Sequence, residues 1–298
     1  MKVLVTGASG FVGRRLCQSL NEHNHQVTAA VRSSETPDID GAASRIIIGD
    51  IGKNTDWSLA LVGQDAIIHL AARAHVMNET TPDPEPLYHQ VNVDGTQQLI
   101  EQAKAAGVRR LLFLSSVKVN GEQTTTAAYT EAMPAMPEDA YGRTKWAAEQ
   151  LLNAEPGLDV TIIRSPLVYG PGVKGNFAKL IGLCQRGWPL PLGAIKNQRS
   201  FVFLDNLVDA LINCLENTKS IGQTFLVSDG ADVSTPELFR LVSTALGKPS
   251  SMVPVPVFLL ELAGRLTGKS GAINRLRGSL QIDCRHIEQT LEIGRAHV

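Results

Sequence analysis

The sequence predicts an α/β protein: a Rossmann-type doubly wound parallel sheet with a smaller C-terminal α+β lobe. An apolar run at Lys2–Thr6 leads directly into the glycine-rich stretch Gly7–Gly13 and then a helix-like segment. Short apolar runs then alternate with helical patterns, which is typical of a parallel sheet with crossover helices. After Gly172 the alternation becomes irregular. We therefore predict a Rossmann domain at 1–172 and an interleaved lobe at 173–291, with later strands completing part of the sheet.

Turn signals and apolar runs define the individual elements. A helix should follow the glycine stretch to Leu20, with Asn24 as the left-handed residue after it, and a second helix should cover His89–Ala106. Pro236 in the capping box Ser234–Glu237 starts a later helix that runs to Leu246. The other predicted strands are Gln26–Val31, Arg45–Ile48, Asp65–Leu70, Arg109–Leu114, Val160–Ile163, Arg199–Phe203 and Thr224–Val227. The other predicted helices are Phe177–Arg186 and Asp205–Leu215.

Bulk composition limits the classes of function. The chain has 298 residues, 43% of them hydrophobic and 19% charged, as in an ordinary soluble protein. A net charge of -1 gives no electrostatic reason to expect nucleic acid or an anionic membrane as partner. The cysteines are scattered without a Cys-x-x-Cys pair, which argues against a zinc site and a disulfide framework and fits a reducing cytoplasm.

Two C-terminal stretches need separate interpretation. Met252–Ala263 is the most apolar later run, but it contains Pro254 and Pro256 and is too short to span a bilayer. We predict a buried or groove-lining helix there. The residues Glu292–Val298 match the in-frame translation of a common sequencing adapter. We therefore expect a natural chain to continue past Leu291, and we assign this tail no function.

The glycine stretch has the strand–turn–helix context of a dinucleotide-binding fingerprint. Gly7 would permit the tight turn, Gly10 the approach of backbone amides to a pyrophosphate, and Gly13 the close packing of helix on strand. The second strand ends at Val31 followed by Arg32, where NAD enzymes usually carry an acidic residue. Arg32 is therefore either a contact for a ribose phosphate, which favours NADP, or a solvent-exposed arginine.

Tyr141 and Lys145 are four residues apart on a predicted helix, so they share one face. An ammonium beside a phenol favours the phenolate and lowers the pKa of the tyrosine. The pair could then take a proton from an alcohol or return it.

A series of short motifs follows one order through the chain. They are Thr6-Gly7-x-x-Gly10-x-x-Gly13, Gly49-Asp50-Ile51, His69-Leu-Ala-Ala72, Asn92-x-x-Gly95-Thr96, Ser115-Ser116, Tyr141-x-x-x-Lys145 and Pro166-x-Val168-Tyr169-Gly170-Pro171-Gly172. With them, nearly the whole chain to Leu291 resembles the extended short-chain dehydrogenases/reductases, specifically the NAD-dependent epimerase/dehydratase family of nucleotide-sugar enzymes. The resemblance implies a nicotinamide cofactor, NAD or NADP, and a nucleotide diphosphate sugar bound by the smaller lobe. It also implies a possible homodimer.

The resemblance assigns roles residue by residue. Tyr141 would be the acid/base, Lys145 would lower its pKa and hold the nicotinamide ribose, and Ser116 would hydrogen-bond the reacting hydroxyl. Asn92 would support the site or be structural. The implied cofactor contacts are Gly7, Gly10, Phe11, Val12, Gly13, Arg32, Asp50, Ile51, Leu70, Ala71, Ala72, Ser115, Tyr141, Lys145, Pro166, Leu167 and Val168.

Substrate contacts implied by the resemblance lie mainly in the smaller lobe. Asn176 would lie near the nucleotide base, and Arg199 would bind the pyrophosphate with its planar fork of donors. Arg275 or Arg277 would add a second phosphate contact. For each of these arginines, an ordinary surface position is the alternative.

Departures from the family pattern narrow the implied reaction. Sugar 4,6-dehydratases carry Thr-Asp-Glu where this chain has Ser116-Val117-Lys118, so the extra acid and base for dehydration are missing. Val119-Asn120-Gly121 replaces the frequent Val-Tyr-Gly. Similarity around Ser115–Gly121 to a bacterial surface-polysaccharide subgroup favours hydride transfer at carbon 4 of a UDP-sugar, by an epimerase or a ketoreductase. The alternatives are a dehydratase, which is disfavoured, and a catalytically silent NAD(P)-sensing protein.

Overall fold

The computed structural model describes residues 1–74, 83–268 and 270–292. Within these ranges the strands form a seven-stranded sheet in the order β3-β2-β1-β4-β5-β6-β9 and a two-stranded sheet of β7 and β8. All neighbouring strands pair in parallel. The strands are β1 (Lys2–Thr6), β2 (Gln26–Val31), β3 (Ala42–Ile47), β4 (Ala66–His69), β5 (Arg110–Ser116), β6 (Asp159–Ser165), β7 (Leu167–Tyr169), β8 (Phe201–Phe203) and β9 (Thr224–Leu226).

Helices occupy both faces of the large sheet and form much of the smaller lobe. They are α1 (Phe11–Glu22), α2 (Ser58–Leu61), α3 (Glu85–His89), α4 (Gly95–Ala105), α5 (Ala140–Asn153), α6 (Gly175–Arg186), α7 (Leu204–Glu216), α8 (Thr235–Ala245), α9 (Val257–Leu266), α10 (Ser270–Arg277) and α11 (Arg285–Leu291). A π-helical segment, Gln90–Asp94, joins α3 to α4. None of the helices in the described ranges is both long enough and apolar enough to traverse a membrane.

Alternating strand side chains build a core on each side of the sheet. Val3 and Val5 of β1 pack with α1 and α7, while Leu4 between them packs with α4 and α5. This alternation is what a strand buried on both faces requires. A third apolar cluster, made by α6, α8, α9 and the segment around Leu192, belongs to the smaller lobe.

The strand order reverses between β1 and β4, which are neighbours in the sheet and grow outward in opposite directions. The carboxyl ends of these two strands, at Thr6 and His69, therefore border the crevice in which doubly wound sheets bind ligands. The same edge carries the ends of β5 and β6. The predicted fold class is confirmed, and the ends of these four strands share one edge of the sheet.

Several predicted elements need correction. Ser115 and Ser116 lie inside β5, because they continue the register with Arg164 and Ser165 of β6. The single helix predicted at His89–Ala106 is wrong in part, since the π-helical segment interrupts it. β7 was not predicted, because the stretch from Pro166 to Gly172 was interpreted only as a motif rich in proline and glycine. Asn24 has the predicted positive φ, 62°, and the capping box at Ser234 is present.

The prediction of a buried or groove-lining helix at Met252–Ala263 is wrong in part, because Leu260 is buried but Phe258 and Leu262 are exposed. The helix starts only at Val257, after the two prolines, and it exposes one apolar face. Of the tail that begins at Glu292, residues 293–298 lie outside the described part of the chain.

A buried ion pair joins α5 to β6. Arg164 Nη2 lies 2.6 Å from Glu149 Oε2, and the two residues are 5% and 0% exposed. Arg164 Nη1 also donates to Asn120 Oδ1 at 3.2 Å. Because α5 carries Tyr141 and Lys145, this pair fixes the helix of the predicted acid/base against the sheet.

Glu149→Ala should therefore lower the free energy of unfolding by about 3–5 kcal/mol, because it leaves Arg164 buried without its counter-charge. Urea denaturation measures the loss. Glu155→Ala is the matched control: Glu155 pairs with Lys104 at 2.5 Å, but the side chains are 29% and 45% exposed. Its loss should be about 1 kcal/mol or less. Equal losses in the two variants would contradict a special role for the buried pair.

Candidate active site

The glycine turn after β1 brings three pieces of backbone into contact. Gly7 has a φ of +68°, and a Cβ there would lie 2.8 Å from the Ala71 nitrogen after β4. A Cβ on Gly13 would lie 2.2 Å from the Gly7 carbonyl oxygen. Only glycine fits either position, so the turn can lie flat against both α1 and the end of β4.

The start of α1 presents backbone amides toward the same crevice. Gly10 is the N-cap and supplies no side-chain hydrogen bond to the first turn, which begins with Phe11 and Val12. The N–H groups of a first helical turn have no partner within the helix and carry the positive end of its dipole. The cradle therefore fits the pyrophosphate of a dinucleotide, as the sequence predicts.

A chain of buried hydrogen bonds ties the ends of β1 and β4 to α4. The Ala71 N–H donates to Thr6 Oγ1 at 3.1 Å, and the Thr6 hydroxyl lies 2.6 Å from His69 Nδ1. His69 Nε2 lies 3.1 Å from Thr96 Oγ1, and the Thr96 hydroxyl donates to the Asn92 carbonyl at 2.7 Å. These contacts are satisfied together when His69 is neutral with its proton on Nε2.

Burial and the nearby Lys145 lower the pKa of His69 to about 3. The imidazole is therefore neutral across the physiological range, and it joins the strands rather than exchanging protons. No role was predicted for His69 or Thr96, which were named only as members of two of the motifs. A histidine ending a buried strand was the signal that a polar partner had to lie nearby.

Asn92 uses its whole amide to position other elements. Its Oδ1 accepts from the Arg73 N–H at 2.8 Å, and its Nδ2 donates to the Arg73 carbonyl at 3.1 Å. Nδ2 also lies 3.0 Å from Thr144 Oγ1 on α5. The residue is 2% exposed. The amide joins the segment after β4 to the helix of Tyr141 and Lys145, so any contribution to the site would be made through the positions of these two elements.

The end of β5 supplies two hydroxyls of different character. Ser115 is 2% exposed, and its Oγ has no hydrogen-bond partner among the described residues. A buried hydroxyl without a partner is uncommon, and a bound cofactor would satisfy it. Ser116 Oγ accepts from the Lys118 N–H at 3.3 Å and is only partly buried. Its remaining hydrogen-bonding capacity can serve a substrate hydroxyl.

Tyr141 and Lys145 lie on the first turns of α5, as predicted. Asp139 caps this helix by accepting from the Gly142 N–H at 2.7 Å. Lys145 is 1% exposed, and its Nζ lies 3.8 Å from the centroid of the Phe113 ring on β5. The ring of Tyr141 is 6.4 Å from that of Tyr88.

The predicted effect of the lysine on the tyrosine is wrong for the chain by itself. Burial raises the pKa of Tyr141 above its usual range, and the charge of Asp139 adds to this. Burial lowers the pKa of Lys145 to about 7, against the opposing effect of Glu149. Desolvation therefore opposes the charged form of each group.

The side chains expected near the adenosine half lie at the outer end of the crevice. Arg32, just after β2, has its Nε 3.1 Å from Asp50 Oδ1, and both side chains are about four-fifths exposed. Ile51 packs against the start of α4, where a Cβ on Gly95 would lie 2.2 Å from its Cγ2. Arg32 thus has an acidic neighbour, Asp50, which the resemblance implied as a separate cofactor contact.

The remaining predicted cofactor contacts follow β4 and β6. Leu70, Ala71 and Ala72 come directly after β4, where Ala71 touches the glycine turn. Pro166 lies between β6 and β7, and Leu167 and Val168 are the first residues of β7. The structure therefore brings the glycine turn, these two strand ends and the Ser115–Ser116 pair to one edge of the sheet.

The predicted substrate contacts are less closely grouped. Asn176 is exposed near the start of α6. Arg199 Nη1 donates to the carbonyls of Arg275 and Gly278, at 3.0 Å in each case. Arg277 Nη1 instead forms an ion pair with Glu261 of α9 at 2.5 Å. Arg199 is thereby linked to the end of α10, whereas Arg277 is engaged within the lobe.

Lys118 is close to the candidate site, although it was predicted only to replace the glutamate of the dehydratase motif. Its ammonium forms ion pairs with Asp139, the cap of α5, and with Glu122 at 2.9 Å. Val117 beside it is 4% exposed. Because Lys118 is held by two carboxylates and Val117 has no polar group, neither can supply the acid or base that a dehydration needs.

Comparisons with known proteins agree with this architecture. The chain matches the model of the NAD dependent epimerase/dehydratase family over residues 3–228. It is 45% identical over 296 residues to a UDP-glucose 4-epimerase of Vibrio cholerae, covering 97% of this chain and 89% of that protein. It is 30% identical over 288 residues to the N-acetyl-alpha-D-glucosaminyl-diphospho-ditrans,octacis-undecaprenol 4-epimerase of Escherichia coli O157:H7, covering 92% and 83%.

A solved structure of similar fold was determined with ligands bound. MoeE5 in complex with UDP-glucuronic acid and NAD has a TM-score of 0.78 and 26% identity, covering 100% of this chain and 95% of that one. Its complex with UDP-glucose and NAD has a TM-score of 0.76 and 25% identity, with coverage of 100% and 94%.

Lys145→Met should stabilise the protein without its ligands. The pKa of Lys145 is lowered to about 7, so the unfolded chain binds more protons than the folded chain between that pH and about 10.4. The cost of burying the ammonium is therefore fully present below about pH 7 and disappears as the pH rises to about 10.4.

Urea denaturation across this range measures the effect. The gain from Lys145→Met should be greatest below neutral pH, at about 1.4 kcal/mol for each unit by which the pKa is lowered, and should vanish in alkali. A gain that is independent of pH would contradict the burial of a titrating ammonium.

Proposed function

The chain belongs to the NAD-dependent epimerase/dehydratase family, and we propose that it is a UDP-sugar 4-epimerase. The observation that carries this proposal is the convergence of Tyr141, Lys145 and Ser116 with the glycine turn at one edge of the sheet. The 45% identity to a UDP-glucose 4-epimerase over nearly the whole chain supports the same reaction. A 4-ketoreductase of UDP-linked sugars uses the same groups and is the second candidate.

The residues fit the cofactor that the family uses. The amides of the first turn of α1 would face a pyrophosphate, the cradle at Gly7 and Gly13 leaves no room for side chains, and the Ser115 hydroxyl is buried without a hydrogen-bond partner among the described residues. When bound, the nicotinamide supplies the acceptor and donor of hydride, and its positive charge in the oxidised form favours the Tyr141 phenolate.

We infer the following roles for the chain's own groups. The Tyr141 oxygen takes the proton from the hydroxyl on carbon 4 as the hydride leaves that carbon, and it returns the proton when the hydride comes back to the opposite face. Ser116 hydrogen-bonds the same hydroxyl. Lys145 favours the phenolate when it is charged, and Asn92 keeps α5 in register with the segment after β4.

The pair at Arg32 bears on the choice of cofactor. Asp50 lies beside the guanidinium, and a carboxylate there would repel a ribose phosphate. We therefore favour NAD over NADP. Arg199 remains the proposed pyrophosphate contact, since among the described residues its guanidinium donates to the end of α10 through Nη1. The nucleotide diphosphate sugar as substrate, a role in surface polysaccharide synthesis, a cytoplasmic location and a homodimer are further parts of this proposal.

Tyr141→Phe should reduce kcat by about 10²- to 10⁴-fold, because it removes the proton acceptor while keeping the ring. KM should change little. Tyr129→Phe is the matched control, because the Tyr129 hydroxyl donates to the Gln123 carbonyl outside the site. Steady-state conversion of UDP-glucose measures both variants. Unchanged turnover by Tyr141→Phe would show that the assignment of the base is wrong.

A second assay separates the two candidate reactions. The purified protein is incubated with UDP-glucose, UDP-N-acetylglucosamine or a UDP-linked 4-keto sugar while the absorbance of reduced nicotinamide is followed. The epimerase should interconvert UDP-sugars without net consumption of cofactor. Stoichiometric loss of reduced cofactor with the keto sugar alone would identify a ketoreductase.

A further inference from the structure

The outer side of α9 is an apolar surface that the proposed reaction does not use. Phe258, Leu262 and Leu266 are 64%, 51% and 80% exposed. They follow one another by a single helical turn and therefore form one stripe. Leu259, 42% exposed, widens it. Exposed apolar stripes of this size are unusual on a soluble protein and mark interaction sites.

The opposite side of the same helix is firmly packed. Leu260 is 7% exposed and belongs to the core of the smaller lobe. A Cβ on Gly264 would lie 2.9 Å from Ile273 Cγ1 of α10. The orientation of α9 is thus set by contacts on its inner side, so the stripe faces outward as a consequence of the fold.

Two segments close in the fold expose further apolar side chains. Trp188 is 64% and Val253 is 43% exposed. Backbone hydrogen bonds place the two segments side by side, since the Val253 N–H donates to the Leu190 carbonyl at 2.9 Å. We call Trp188, Val253, Phe258, Leu259, Leu262 and Leu266 the apolar face of the lobe.

Basic residues dominate the segments that carry this face. Between Lys174 and Arg199 the sequence has five basic residues and no acidic one. From Arg240 to Arg277, the described residues include one acid, Glu261, which is paired with Arg277. The exposed bases there include Arg240, Lys248, Arg265 and Arg275. The net charge of -1 for the whole chain conceals this local excess.

Three bases lie near residues of the apolar face. Arg265 precedes Leu266 at the end of α9. The guanidinium of Arg186 lies 5.5 Å from the Trp188 ring centroid. Lys248 is next to Pro249, whose Cγ is 3.8 Å from the position of a Cβ on Gly187. Positive charge therefore borders the apolar side chains.

We propose that the apolar face of the lobe docks on the surface of a bilayer rich in anionic phospholipid, with α9 lying in the headgroup region. A helix with aromatic and leucine side chains outward and basic residues at its border has the composition of an interfacial helix. Lysine and arginine residues close to a membrane surface are attracted by anionic headgroups. A second copy of this chain fits the face less well, because the two basic borders would repel each other.

Co-sedimentation with vesicles tests this docking and requires no turnover. One set of vesicles contains equal parts of phosphatidylglycerol and phosphatidylethanolamine, and the other contains phosphatidylcholine alone. The unaltered protein should bind the anionic set in preference, and salt should weaken the binding. The triple variant Phe258→Gln, Leu262→Gln, Leu266→Gln should bind at least about tenfold more weakly.

Matched variants separate docking from general loss of apolar or basic surface. Leu59→Gln with Val62→Gln removes side chains that are 74% and 71% exposed near α2, and it should leave vesicle binding unchanged. Lys248→Gln and Arg265→Gln should each weaken binding about fivefold, whereas Lys53→Gln on the Rossmann domain should not. Circular dichroism melting of every variant checks that each is folded.

Three results would overturn the proposal. The unaltered protein does not bind anionic vesicles, or it binds both vesicle types equally, or the triple variant binds as well as the unaltered chain. Light scattering in the absence of lipid tests a fourth contrary result, which is self-association of the chain through this face. An oligomer that the triple variant dissociates would identify the face as an interface between copies of the chain.

Discussion

The site depends on a buried line of hydrogen bonds from Thr6 through His69 and Thr96 to Asn92. It joins the ends of β1 and β4, between which the strand order reverses, to the π-helical segment and, through Thr144, to α5. Each member is buried and each hydrogen bond is satisfied, so losing one leaves an unpaired polar group in a low dielectric. The glycine turn and the acid/base helix are held in register by this line.

A second constraint is the burial of charge beside the reacting groups. Lys145 lies over the Phe113 ring. One turn further along α5, Glu149 pairs with Arg164 of β6, and the two charges neutralise each other. In the chain alone, desolvation raises the pKa of Tyr141 and lowers the pKa of Lys145. A cationic nicotinamide would oppose this effect of burial and favour the phenolate, as the proposed role of Tyr141 requires.

Much of this arrangement could be predicted from the sequence, and the misses have physical causes. The glycine spacing, the Tyr141–Lys145 spacing and the strand ends were sufficient for the fold and the cofactor turn, because backbone geometry restricts which residues can occupy them. The direction of the Tyr141 pKa was wrong, since spacing along a helix contains no information about burial. The pairing of Arg32 with Asp50 joins residues from two strands, and local pattern could not reveal it.

The smaller lobe was predicted least well, for a related reason. Its apolar run was interpreted as buried because hydrophobicity alone does not say which side of a helix meets a neighbour. Gly264 and Leu260 face α10 and the lobe core, which leaves Phe258 and Leu266 outside. The net charge of the chain likewise averaged an acidic remainder with a basic lobe. Where a few contacts determine the orientation of a helix, the three-dimensional arrangement is required.

The fate of the hydrogen on carbon 4 tests the central claim most directly. UDP-glucose carrying deuterium at that carbon is converted in ordinary water, and the recovered UDP-galactose is analysed by mass spectrometry and NMR. If hydride leaves carbon 4 and returns to it within the site around Tyr141 and Lys145, the product retains the deuterium at carbon 4. Loss of the deuterium to solvent, or its appearance at another carbon, would contradict the account.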